Sequence, residues 1–370
     1  MPAVSKIRVK GVDGLLRAEL TGEESGFFSY SFMRRVNCPG AFAILINRRA
    51  DEPIGSFMIR TAIFELDSQV EFYRRWPEMG IDWYLEYEGL MRGRTYYITT
   101  DGDLVCEISG RGYLDLINRR IVEAAAGSAD AEKTGAAETV CKDYVTAQAG
   151  SGAGARALTG LSVEADGATG ETVTIKASNK NLLTTCQDIA KVGGGDFDII
   201  GTGAATFEFR WYDGQRGTDR SSTVKFSYEL GNMGTPNIAV MRQDEISAVL
   251  VGGQGAGADR EMVWRTDATR IADSTWNRIE KFLDQRNEDD TDGLNNAGDE
   301  ALEEGRPKNA LTFTALQTPG CLLGKHYFFG DLVTASFMGY TATKKVAEYT
   351  ITVNGDNVGA ESILVTLEDV

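Results

Sequence analysis

The chain has 370 residues, 42% of them hydrophobic and 25% charged; that length suggests about two to four domains, and that composition excludes wholesale disorder. Its 54 Asp and Glu against 38 Lys and Arg give a net charge of −16. This excludes broad affinity for nucleic acid or an anionic membrane, because both demand a cationic contact face.

The N-terminus, MPAVSKIRVKG, lacks the apolar core of a secretory signal. No apolar run approaches the roughly 20 residues that span a bilayer, so the sequence reads as a soluble protein released in a cytoplasm. The first third alternates like an antiparallel sheet. Strands are predicted at 27–32, 41–46, within 57–74, at 81–87, 95–99 and 104–108, and Asp101-Gly102 suits a tight hairpin turn between the last two. Tyr113, Leu114, Leu116, Ile117, Ile121 and Val122 then recur at helical spacing, which predicts a helix from about Gly112. Residues 123–160 are rich in Ala, Gly, Ser and Thr and are partly helical, with 149–154 a flexible loop. Strands at 161–164 and 171–175 precede a short helix with Leu182, Leu183, Cys186, Ile189 and Ala190 on one face, which Gly193-Gly194-Gly195 ends. Strands return at 196–201, 205–212, 222–230 and 247–251. Trp276, Ile279, Phe282 and Leu283 predict a helix capped by Asp273 or Ser274, and Leu294, Ala297, Ala301 and Leu302 predict another. Strands near 309–316, 325–329, 331–337, 344–353 and 361–368 close the chain. Glycine is frequent (42) and proline scarce (7), so glycine makes most of the turns.

The census of chemistry is mostly one of exclusion. A single histidine, His326, cannot build most zinc sites or His-pair acid–base devices. No Gly-x-Ser-x-Gly elbow supplies it with a nucleophile, so a histidine beside a strand turn is the preferred reading. The five cysteines (Cys38, Cys106, Cys141, Cys186, Cys321) are widely spaced and read as reduced, packed thiols. The acidic turn 287–293 resembles a calcium loop, with Glu288, Asp290 and Asp292 at the first ligand positions. It lacks the usual first Asp, and its last ligand would be Asp299 rather than a bidentate Glu. A solvated connection is preferred. The glycine runs 201–205 and 252–257 lack a Gly-Lys-Ser/Thr ending and read as hairpin loops rather than phosphate cradles. Glu86 and Glu88, two apart on a strand, mimic a glycosidase pair. Trp76, Trp83, Tyr84 and Tyr87 could line a sugar site or form core and subunit contacts. No catalytic residue, metal ligand or cofactor site survives this census, and a structural or interaction role remains.

Several motifs in fixed order add specificity. Residues 106–122 form a strand–Gly–helix step. Asn181-Leu182-Leu183 with Ile189-Ala190 makes a short helix. Residues 207–212 lead into Gly217-Thr218-Asp219-Arg220, and Val224–Tyr228 precedes Gly231-Asn232. Glu280–Arg286 carries Asp284 and Arg286 on an expected helix, and residues 327–333 hold Gly330-Asp331. Together these resemble a siphophage tail-hub family, although Ser221 replaces that family's Thr and residues 1–60 and 123–175 match less well. The resemblance implies a mainly β fold with α (α+β), with two β-barrel-like tube domains and an intervening α+β region. The expected domains are 1–122 (tube), 123–175 (insertion or linker), 176–260 (middle) and 261–370 (helices, then a second tube domain). It implies a non-enzymatic central hub of a tail tip or baseplate, a homotrimer forming a pseudo-sixfold ring. Distal-tail, tape-measure and tip or spike proteins are the expected partners. DNA would pass through the lumen without specific binding, and no membrane or cofactor is expected. The protein would be made in the host cytoplasm and carried in the virion. With Val370 soon after the last expected strand, none of the hydrolase domains that some members carry is expected. Structural roles are expected for Gly217, Asp219, Arg220, Gly231, Asn232, Asp284, Arg286, Gly330 and Asp331. Asp219 would accept backbone N–H bonds, Arg220 would pair with a neighbouring element, and Gly330-Asp331 would set a turn. The acidic excess suggests a carboxylate-lined lumen that repels phosphate. The same features fit the hub of a gene-transfer particle or contractile injection system. From another class, a glycan-binding or glycan-cleaving tail protein built on Glu86, Glu88 and the neighbouring aromatics is the alternative.

Overall fold

The computed structural model describes residues 3–21, 29–47, 53–54, 57–58, 65–100, 104–124, 128, 130–354 and 361–369. The chain opens with β1 (Val4–Lys10), β2 (Leu16–Thr21), β3 (Ser29–Arg35), β4 (Ala41–Asn47), β5 (Pro53–Ile54), β6 (Phe57–Met58), β7 (Gln69–Trp76), β8 (Ile81–Ile98) and β9 (Leu104–Gly112). Alternation builds these strands: in β4, Phe42, Ile44 and Ile46 are buried while Ala43 and Leu45 are not. The predicted strands 81–87 and 95–99 are one continuous strand, β8, whose register against β7 and β9 shifts at bulges. Residues 27–28 and the turn 101–103 lie outside the described residues. The helix expected from Gly112 is a single turn, α1 (Asp115–Asn118), because the chain then bridges to Asn181 at Ile121.

The middle of the chain holds β10 (Ala131–Ala136), α2 (Ala137–Gln148), β11 (Leu161–Val163), β12 (Thr172–Ala177), α3 (Leu182–Gly193), β13 (Gly195–Gly203) and β14 (Thr206–Asp213). Residues 151–156, partly expected as loop, form a short 3-10 turn. The Asn181 side chain caps α3 by accepting from Thr184 N (3.2 Å), and Gly194, at φ 68°, ends it in the left-handed conformation.

The remainder comprises β15 (Lys225–Ser227), β16 (Met233–Met241), β17 (Ala248–Gly252), β18 (Met262–Thr266), α4 (Ala268–Ala272), β19 (Glu280–Asp284), α5 (Thr291–Glu304), β20 (Lys308–Ala315), β21 (Leu332–Phe337), β22 (Tyr340–Asn354) and β23 (Glu361–Glu368). Three expectations are corrected here. The helix predicted around Trp276–Leu283 is a loop followed by strand β19, because the segment pairs in parallel with β17. That pairing turns Leu283 inward and leaves Phe282 51% exposed. Residues 325–329 form a turn rather than a strand, with Tyr327 packed into the core. The strand expected over 222–230 is only β15.

The architecture is mainly β with few helices. Thirteen strands form one sheet whose antiparallel path runs β16-β20-β23-β22-β3-β4-β9-β8-β7-β1-β2, with β15 and β21 branching from it. The strands of the two chain ends meet where β3 pairs with β22, Glu348 opposite Arg35 through Asn354 opposite Ser29. One apolar core accordingly draws on both ends, from Ile7 to Leu367. A second core gathers α1, α2, α3 and β13–β14 around Tyr144, Phe197 and Phe209. A third, smaller core lies between α5 and the β18-β17-β19 sheet, around Val251 and Leu294. All five cysteines are free thiols, four of them buried, and burial pushes Cys106 up to about 11 and Cys321 up to about 12. Among the described residues, no helix is long and apolar enough to cross a membrane.

Candidate functional site

The surface that joins the two ends of the chain has an unusual composition. On the face opposite the core, one in-register row crosses six strands as Ser362, Thr352, Ser31, Ala43, Ser109 and Gly93. The row on one side reads Thr314, Leu364, Thr350, Met33 and Ala41. The row on the other side reads Asn354, Ser29, Leu45, Glu107 and Thr95. All of these residues are at least partly exposed. Glu107 is the one charged side chain among the three rows. At the ordinary strand spacing the face is about 24 Å across.

Behind this face, a buried charge network fastens the same junction. Arg74 on β7 has a fully buried side chain. Its Nη1 donates to Glu86 Oε2 and to the Tyr84 hydroxyl, each at 2.8 Å, and its Nη2 donates to Glu361 Oε2 at 2.8 Å. Its Nε also lies 2.8 Å from Glu361 Oε1. The Tyr349 hydroxyl on β22 donates to Glu86 Oε1. Burial alone disfavours a charge here, yet Glu361, Tyr84 and Glu86 hold the Arg74 guanidinium well above its ordinary pKa. Burial, with Glu86 beside it, pushes the Tyr349 phenol up.

Two aspartates tie the remaining segments to this frame. Asp196, at the start of β13, accepts from Asn37 Nδ2 (3.2 Å) and Arg216 N (2.8 Å) and pairs with Lys345 of β22. Asp331 accepts from Thr218 N (2.7 Å), Arg220 Nε (2.7 Å) and Phe328 N (2.8 Å). The motif residues Gly217, Asp219, Arg220, Gly330 and Asp331 are thus brought together. A Cβ on Gly217 would stand 2.2 Å from Asp331 N, so only glycine admits this approach. Asp219 accepts from Ser221 N at 2.9 Å. Asn232 closes the loop after β15, accepting from Ser227 N and donating to Lys225 O, and Gly231 turns it at φ 67°. Asp284 and Arg286 lie apart, at the end of β19. There Asp284 pairs with Arg260 and Arg286, and the segment is strand and turn rather than the expected helix.

The other candidates are engaged elsewhere. His326 Nδ1 accepts from Leu322 N at 3.0 Å inside its own turn. The calcium-like acids are divided: Glu288 pairs with Lys176, Asp290 caps α5, and Asp299 holds Arg265 in a double contact. Among the described residues no group of three or more His, Cys, Asp and Glu could hold a metal. The glycine runs 201–205 and 252–257 occupy the β13–β14 and β17–β18 turns. Trp76 Nε1 donates to Leu323 O (3.2 Å), the Tyr87 hydroxyl donates to Pro39 O (2.9 Å), and Trp83 carries Lys6 and Arg75 over its ring.

Glu86 and Glu88 do not act as a pair. Glu86 belongs to the Arg74 network, whereas Glu88 Oε1 accepts from Gly201 N at 2.7 Å. Glu88 borders a cavity of about 240 Å³ between β8 and β13, which Arg34, Asp198 and Arg216 also line. Burial lifts Glu88 to about 7, against the opposing hydrogen bond from Gly201. A carboxyl raised in the folded state stabilises most below its unfolded pKa, and that stability is lost as pH rises through about 7. Glu88→Gln is therefore expected to remove about 1–2 kcal/mol of the stability lost between about pH 5 and pH 8. Chemical denaturation at both pH values measures it, and identical pH slopes for variant and parent would refute the assignment.

Sequence reasoning missed Arg74, Glu361 and Asp196, since their partners lie far along the chain. An arginine on the alternating face that holds Val70, Phe72 and Trp76 was the available signal.

A family model described as Siphovirus ReqiPepy6 Gp37-like protein matches residues 17–364. No curated protein sequence matches the chain. Among solved structures, the chain is similar to the 43 kDa tail protein of prophage MuSo2 from Shewanella oneidensis, at 12% identity and a TM-score of 0.58 over 98% of each chain. It is also similar to the tail protein from Neisseria meningitidis MC58, at 13% identity and a TM-score of 0.58, covering 100% of this chain and 97% of that one. A chain of the half-lidded Francisella PdpA-VgrG complex matches at 7% identity and a TM-score of 0.57, covering 100% of this chain and 58% of that one. At these identities the likeness is one of fold. The family match extends over nearly the whole sequence, and the chain belongs to the Siphovirus ReqiPepy6 Gp37-like protein family.

Proposed function

We propose that this protein is the non-enzymatic central hub of a phage tail tip or baseplate, a homotrimer in which each chain supplies two tube-forming portions to a pseudo-sixfold ring. The observation that carries the reading is the single sheet built from both chain ends, with its small, nearly uncharged outer face. That face lines the DNA conduit. The central rows offer phosphates no counter-charge to bind, the exposed cations Arg35 and Arg111 standing at the margin of the face, and the many short hydroxyl and methyl side chains keep the surface low. With Glu107 the one charged residue in the three rows, sliding rests on a neutral central band rather than on the surplus of carboxylates suggested by the net charge. The buried network and the two aspartate nodes keep the two portions of each chain in fixed relation. The fold likeness to tail proteins and to a chain of the PdpA-VgrG complex supports a place in the virion between tube and tip. Distal-tail, tape-measure and spike proteins are the expected neighbours, with synthesis in the host cytoplasm.

The test places arginine at Ser31, Ser109 and Thr352 together in the phage. Tails are expected to assemble while DNA ejection slows at least tenfold, whereas arginine at exposed Ser151 changes little. Normal ejection from the triple variant, or a ring image in which another face lines the channel, would sink the proposal.

A further inference from the structure

The β11-β14-β13 sheet of the middle region has β11 at one edge. β11 runs parallel to β14, and the ladder fixes which of its backbone groups are used. Phe207 N donates to Gly160 O at 2.8 Å, and Glu164 N donates to Phe209 O at 3.0 Å. By the alternation of a strand, the Val163 N–H and the Leu161 and Val163 carbonyls therefore point away from β14. Among the described residues no strand pairs with that side.

A cavity of about 480 Å³ lies between β11 and α2. Leu161 and Val163 line it from the strand, and Thr139 and Thr146 line it from the helix. Leu161 and Val163 are half-buried against the middle core, so the strand side is partly apolar. The groove is held in shape from within. Lys142 Nζ on α2 donates to Ala165 O at 2.7 Å, and Glu138 accepts from Gly167 N and Thr169 N, each at 3.0 Å. These two buried side chains also pair with one another. Lys142 is the one cation lining the groove, and Glu138 already takes it up. Three acids line it too: Asp143, Glu164 and Asp166. The Asp143 and Glu164 side chains are 58% and 39% exposed. Lys133 lies 3.5 Å from Asp143 and Lys142 lies 3.4 Å from Glu164, while Asp166 accepts only from the Thr139 hydroxyl and Ala168 N. A surplus of negative charge remains.

We propose that the groove between α2 and β11 docks an extended, basic segment of a partner protein, which adds to the open edge of β11 as a further strand. Main-chain bonds to the Val163 N–H and to the Leu161 and Val163 carbonyls supply affinity, as in strand addition generally. Lysine or arginine at alternate positions of the segment meets Asp143, Glu164 and Asp166, which supplies the selectivity. The inference does not rest on the hub reading, because residues 139–166 of one chain build the whole groove.

Fluorescence anisotropy on the full chain at physiological salt tests it, with a labelled, end-blocked peptide of about nine residues that alternates valine with lysine. This peptide is expected to bind with a Kd of about 100 μM, and its counterpart with glutamate in place of lysine about tenfold more weakly or worse. Val163→Pro removes the outward N–H, and proline is tolerated on an open strand edge, so the fold is kept while binding falls about tenfold. Thr146→Arg obstructs the groove from the α2 side and repels lysine, and it is expected to weaken binding as much. Hydrogen exchange locates the bound peptide: the Val163 amide gains protection, whereas the Glu164 amide, already bonded to Phe209 O, does not change. No binding of the lysine peptide, equal binding of the two peptides, or undiminished binding in both variants would overturn the proposal.

Discussion

Replacing Arg74 by methionine is expected to cost about 3–5 kcal/mol of stability, the loss that follows when one partner of a buried charge network is removed. The side chain is fully enclosed, and Glu86 and Glu361 both direct oxygens at it. Without the guanidinium, two carboxylates are stranded in the junction between β7, β8 and β23. Lysine does not rescue the site, because one ammonium cannot reproduce the planar fork that reaches Glu86, Tyr84 and Glu361 at once. Adding Glu361→Gln to Arg74→Met is expected to cost less than the two single changes summed, since the second change removes a charge the first has orphaned. Denaturant unfolding of the four proteins measures this. A loss below about 1 kcal/mol for Arg74→Met would show that the network is not what fastens the two chain ends.

Asp331→Ala is expected to cost about 2–4 kcal/mol. Three donors, Thr218 N, Phe328 N and Arg220 Nε, converge on one buried carboxylate, and each lacks a replacement once it is gone. Asp331→Asn retains an acceptor oxygen but weakens the pairing with Arg220 and is expected to lose about half as much. Gly217→Ala is expected to disturb the same node sterically, because the added methyl meets the backbone of Gly330 and Asp331. Thermal and chemical unfolding of the three variants distinguish the effects. A stable Asp331→Ala protein would mean that water serves the three donors equally well.

Much of the sheet was legible in the sequence because alternation survives in strands with one face on the core. Segments 41–46, 104–108, 344–353 and 361–368 all show it, and all pair in the large sheet. The misreadings have physical causes. Trp276, Ile279, Phe282 and Leu283 fall at helical spacing, but a segment of five residues is assigned by its partner strand, not its own period. Tyr327 and Phe329 look like alternating strand positions, yet Gly324 and Gly330, both at positive φ, fold the segment back on itself. The motif residues Gly217 to Arg220 and Gly330-Asp331 were visible as two separate turns. Their contact with one another was not, since no local pattern encodes a pairing over more than a hundred residues. The Arg74 network is harder still, because Glu361 lies 287 residues beyond Arg74. Register alone brings them together. The smooth outer face was equally hidden: each strand contributes only one or two Ser, Thr, Ala or Gly residues, which look like ordinary surface until the strands are aligned.

The pairing of β3 with β22 also sets a timetable for synthesis. A ribosome releases residues 29–35 long before residues 348–354 exist, and until then one edge of β3 has no partner. The core shared by the two ends cannot close on a nascent chain, whereas the core built from α2, α3 and β13–β14 is complete once residue 213 has emerged. Folding therefore proceeds from the middle outward, with the sheet closing last and slowly, as long-range strand pairing does. A chain truncated before β22 keeps a foldable middle and an open, apolar edge, a form suited to aggregation or to proteolysis rather than to incorporation in a particle.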